Sequence, residues 1–91
     1  MSESPAEPSA EQLVEELRKA KVSDLIVHTC SLLASLAYGK LAPDVRDLEQ
    51  ARLAIDALRA LTAVLPEEEQ RRDLQQVVSN LQLAYADAAS R

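Results

Sequence analysis

The sequence predicts an all-α fold: a small three-helix bundle made of a helical hairpin and a central apolar helix, with an extra N-terminal helix as an option. Three observations carry this. Phe and Trp are absent and Tyr occurs twice, so a core must come from Leu, Val, Ile and Ala, which favour helices over sheets. The single glycine leaves tight hairpin turns without their usual residue. Apolar residues recur at helical spacing through most of the chain. With 91 residues the chain builds one domain at most, around one modest core. Its expected organisation is a disordered acidic tail over 1–9, a candidate N-terminal helix over 10–21 and a helical domain over 22–91.

Residues 1–9 hold two prolines, three serines and two glutamates, with no large apolar residue after Met1. That composition offsets little ordering entropy. From Ala10 to Lys21 a short helix is expected, because Ser9 can cap it with Gln12 at the third helical position. Leu13, Leu17 and Ala20 share one face of it. Ser23, with Asp24 directly behind, offers the next helix start, which places a break near residues 21–23.

The helix that follows, about Ser23 to Tyr38, contains the most apolar stretch of the chain, with no charge between Asp24 and Lys40. On a helical wheel His28, Ser31 and Ser35 form a narrow polar wedge, and apolar or small residues take roughly two-thirds of the circumference. Such a helix requires cover almost all round. Its Leu25, Leu32 and Leu36 stripe is expected to serve the core, and Val27, Cys30, Ala34 and Ala37 to form a second face that another helix can approach closely. Gly39 stands where a left-handed C-cap would need it. Residues 40–46 read as a loop, with Ala42 held extended ahead of Pro43.

Asp47 is the next N-cap, with Gln50 as its reciprocal partner. Leu48 to Leu65 reads as an amphipathic helix with Leu48, Ala51, Ile55, Leu58, Leu61 or Thr62, and Leu65 inward, and Arg52, Asp56 and Arg59 outward. Pro66 closes it and can open the last helix, where Glu67, Glu68 and Glu69 suit the positive end of the dipole. This tight link makes the two helices antiparallel. The last helix, to about Ala88, carries Leu74, Val77, Val78, Leu81, Tyr85 and Ala88 on one stripe, with Leu83 on the opposite side.

Tyr38-Gly39-Lys40-Leu41-Ala42-Pro43-Asp44, Leu48-Glu49-Gln50-Ala51-Arg52 with Ile55-Asp56-Ala57-Leu58, then Glu67-Glu68-Glu69 and Leu81-Gln82-Leu83-Ala84-Tyr85 carry a resemblance. In order and in most spacings, from about Val22 to Asp87, the chain resembles the bacterial domain of unknown function 1844 family. The resemblance implies a small, soluble, helical bacterial domain without an established activity, and it supplies no catalytic residues. Two departures stand out: the link between the second and third core helices is about a turn shorter, and Pro66 replaces the usual Thr cap.

No catalytic motif, metal cluster or phosphate loop is present, so no catalytic residue, cofactor or metal is expected. The net charge of −5, with seven arginines scattered among acids and no interleaved aromatics, disfavours nucleic acid. One cysteine fits a reducing, cytoplasmic setting. The N-terminus shows no secretory signal, and the stretch Leu25 to Gly39 is short of the ~20 residues that span a bilayer. His28 and Cys30 lie two apart on a helix and diverge, which argues against a nucleophile and base. Asp24 and His28 make half a metal site at most, and Glu67 to Glu69 are explained by the helix dipole. Tyr38 and Tyr85 read equally as interface residues or as rings at the core edge.

The expected function is therefore a noncatalytic self-associating or protein-binding module. A small enzyme or enzyme subunit, or a peripheral membrane protein, are the alternatives. The interface candidates are Val27, Cys30, Ala34, Ala37, Tyr38 and Leu83, and a two-fold homodimer is the expected assembly, with an unidentified protein as the other candidate partner.

Overall fold

The computed structural model describes residues 9–91, and among these all secondary structure is helical: α1 (Ala10–Lys19), α2 (Val22–Leu41), α3 (Leu48–Ala63) and α4 (Glu68–Ala89). The tail expected over 1–9 lies outside the described residues except for Ser9. Ser9 caps α1 as its sequence suggests: its Oγ accepts from the Gln12 N–H at 3.2 Å, and its own N–H donates to Gln12 Oε1 at 2.9 Å. α1 buries no residue and touches none of the other helices.

α2 begins one residue before Ser23. Ala20 and Lys21 are both extended, and Lys21 occupies the cap position without a side-chain cap. At its other end α2 runs two residues past Gly39, whose φ is not positive. The reason lies downstream. Ala42 precedes Pro43 and sits at φ −59° and ψ 137°, so the proline ends the helix, and Leu41 is buried before it does.

The Asp47 carboxylate accepts from the Gln50 N–H at 3.1 Å and opens α3. Its backbone N–H does not meet the Gln50 side chain; it donates to the Lys40 carbonyl at 2.7 Å and closes the 42–47 loop. α3 ends at Ala63 rather than Leu65, and Pro66 stays outside both helices, with Glu67 as the cap of α4. Arg71 secures this link by donating from Nη1 to the carbonyls of Leu65 at 2.7 Å and Pro66 at 3.3 Å.

The core lies among α2, α3 and α4. It is built from Cys30, Ala37 and Leu41 of α2, Ala51, Ala54, Ile55 and Leu58 of α3, and Val78, Leu81 and Ala88 of α4. The inward stripes expected for α3 and α4 are found, with Thr62 rather than Leu61 fully enclosed. α2 packs most extensively on α3. Small side chains on both sides of that contact (Cys30, Ala37, Ala51 and Ala54) let the two helices approach closely.

Candidate interaction surface

That close contact decides which way α2 faces, and it reverses the expectation. Cys30 and Ala37 are 0% exposed in the core, and Val27 and Ala34 are half-buried, whereas Leu25, Leu32 and Leu36 are 53%, 58% and 54% exposed. Cys30 and Ala37 therefore cannot belong to a free face of the protomer. Nor is α2 covered almost all round: only Cys30, Ala37 and Leu41 are fully buried. Of the remaining candidates, Tyr38 is exposed beside Leu41 and Ala88, and Leu83 stands alone on the outer side of α4. Tyr85 is half-buried against the core.

The open leucines have company. α3 carries Leu53, Ala57 and Ala60 on the side turned from its core stripe, and its C-cap residue Val64 continues the spacing; Leu53 and Val64 are 61% and 63% exposed. The spacing is four, three and four, the same as that of Leu25, Thr29, Leu32 and Leu36 on α2, which is the heptad rhythm of helices that pack on another helical layer. Sequence reading missed this second seam, although the matched spacing, displaced by 28 positions, was there to be found.

Both seams lie on one side of the α2–α3 hairpin. α4 occupies the other side: it flanks α3 along Ile55, Arg59 and Thr62 and α2 along Tyr38 and Leu41. The helices run antiparallel about the 42–47 loop, with Lys40 bonded to Asp47 near the turn and Cys30 against Thr62 deeper in the hairpin. None of the eight seam residues is charged.

Elsewhere the chemistry is sparse. His28 is exposed while Cys30 is enclosed, so the two point to different surroundings. Burial pushes the Cys30 thiol above its ordinary range, and the neighbouring Thr62 hydroxyl pulls weakly the other way. Thr62 Oγ1 is buried with no hydrogen-bond partner. Among the described residues no three His, Cys, Asp or Glu side chains gather in a metal-holding group. The cleft between α3 and α4 is shallow, and two of its charges, Arg59 and Asp56, face each other at 3.6 Å. By length and composition α2, at twenty residues, is sufficient to cross a bilayer. Compared with known proteins, the chain matches no family model, no curated protein and no solved structure.

Proposed function

We propose that this protein is a noncatalytic helical module that works by protein–protein contact through the open face of α2 and α3. The observation that carries this reading is the eight-residue, charge-free double seam, with five large apolar side chains each more than half exposed. A soluble protomer rarely leaves so continuous an apolar patch in water without a use for it. In the same reading α2, α3 and α4 form a three-helix bundle that holds the seam rigid, and α1 is an N-terminal addition. The resemblance to the domain of unknown function 1844 family and a cytoplasmic setting are compatible with this role.

A membrane role fits less well. α2 is tied to α3 through Cys30, Ala37 and Leu41, so inserting it would expose the core. Its polar wedge of His28, Ser31 and Ser35 also lacks the Lys and Arg that flank surface-lying helices. A photoreactive residue in place of Leu53 tests the reading in cells. Discrete protein adducts at position 53 that are missing at Gln82 are expected; lipid adducts alone, or none, would overturn it.

A further inference from the structure

At the loop end of the bundle, the last turn of α2, the 42–47 loop and the last turns of α4 surround a cleft of about 350 Å³. Its walls are apolar at Leu41, Pro43, Ala84 and Ala88, the Tyr38 side chain forms one edge, and Arg46 stands at its rim. Two further charges line it, Asp87 and Arg91, and they are bound to each other at 3.0 Å. Arg46 is the charge left over. The cleft is made with α4, away from the open leucines, so what it binds is independent of the interaction reading above.

Arg46 is half-buried and donates from Nε to the Leu41 carbonyl at 3.4 Å. That carbonyl is one of the last four of α2, which lack helical partners and form the negative end of the dipole. The bond accounts for the position of the side chain but not for its charge. None of the ion pairs among the described residues includes Arg46. A partly desolvated cation is ordinarily matched by a carboxylate, because the opposite charge offsets the cost of leaving water. The loop that carries it is also fixed: the Val45 N–H donates to the Ala42 carbonyl at 3.2 Å, and the Asp47 N–H to the Lys40 carbonyl at 2.7 Å. Little ordering is therefore required when a ligand enters.

We propose that this cleft binds a small monocarboxylate with an apolar body, an aliphatic or aromatic acid of roughly six to ten carbons. A guanidinium whose Nε is already engaged still offers its two Nη groups, and their spacing matches both oxygens of one carboxylate. Tyr38 and the aliphatic walls cover the body. Ala84 and Ala88 end at Cβ and leave room for it. A multiply charged anion fits poorly, since the cleft holds one unpaired cation and its remaining walls are largely apolar. Its volume lies at the lower end of the ~300–1,000 Å³ usual for small-ligand sites.

Phenylacetate and hexanoate, titrated into the full chain, should shift the amide resonances of Leu41, Ala42, Arg46 and Ala88, with a Kd of about 1 mM or tighter. Phenylacetamide has the same body without the charge and should bind at least about tenfold more weakly, as should inorganic phosphate. This comparison uses the unmodified chain and depends on no variant folding. Arg46→Gln should weaken phenylacetate at least about tenfold with an unchanged helical spectrum, and Arg46→Lys should restore only part of the loss. Tyr38→Ala should weaken it severalfold, whereas Arg52→Gln, in the separate cleft between α3 and α4, should change nothing. Absence of a saturable shift with either acid, equal binding of acid and amide, phosphate binding as tightly as the acids, or full binding by Arg46→Gln would each overturn the proposal. A short peptide whose free C-terminal carboxylate binds at least about tenfold tighter than both acids would overturn it too, by making the ligand the end of another protein.

Discussion

The two sides of α2 are both apolar, yet one is built from small residues and buried, and the other from leucines and open. Cys30 and Ala37 are fully enclosed, whereas Leu25, Leu32 and Leu36 are more than half exposed. Size does not predict direction here because α3 presents Ala51 and Ala54 to its neighbour, and a close helix contact rewards small side chains on both partners. Larger residues would hold the helices apart. The leucines are thus left outside the protomer core.

Enlarging the enclosed side should therefore hurt far more than trimming the open one. Ala37→Leu overpacks a site with no free space and should cost about 1–3 kcal/mol or more, while Leu36→Ala should change protomer stability by less than about 1 kcal/mol. Denaturant unfolding at low protein concentration compares them. Equal costs would mean that the leucine side is covered within the protomer, and the contrast would be broken.

The contrast also marks how far the sequence could be read. The caps at Ser9 and Asp47 were legible because a cap is made within three residues. The α3 stripe was legible because its charged residues point one way. α2 offered no such polarity: with apolar residues over most of its circumference, its orientation depends on what α3 presents, which is tertiary information. Gly39 misled for a related reason. A glycine near the end of an apolar run suggests a left-handed cap, but Pro43 sets the boundary two residues beyond it.

Within the enclosed side, Thr62 is the one buried polar side chain among the described residues that is fully enclosed, and its hydroxyl is unpartnered. Thr62→Val keeps the shape and removes the orphaned group, so it should stabilise the fold by about 1 kcal/mol. Cys30→Ser would place a second hydroxyl in the same pocket and should destabilise, whereas Cys30→Ala loses only packing. Thermal unfolding of the three variants gives the order. A stable Cys30→Ser would show that the two hydroxyls bond each other, and the pocket is then less dry than its burial implies.

On the outward circumference, Gly39 sits inside α2 with helical φ, and a Cβ added there meets nothing within 4 Å. Gly39→Ala should stabilise by about 0.5–1 kcal/mol, the helix-interior penalty of glycine. A loss of stability in the isolated protomer would contradict the helical assignment of this turn.

The smallest effect expected is a change at alkaline pH, and it separates the two sides of α2 chemically. Burial holds the Cys30 thiol above its ordinary range in the folded chain, so the folded state keeps its proton where the unfolded chain has begun to lose it. The resulting contribution to stability is complete below the unfolded thiol pKa of about 8.5. It then declines as pH rises toward the folded value, because ionisation increasingly favours the unfolded state. Wild type should therefore lose more stability than Cys30→Ala between neutral and mildly alkaline pH, measured by the denaturant midpoint. Alkylation should follow the same logic: at neutral pH the thiol should react only as fast as the chain opens. A cysteine introduced at Ser35, on the exposed side, should react at once. Rapid labelling of Cys30 in the native protein would mean that α2 separates readily from α3, and the enclosed side would no longer differ from the open one.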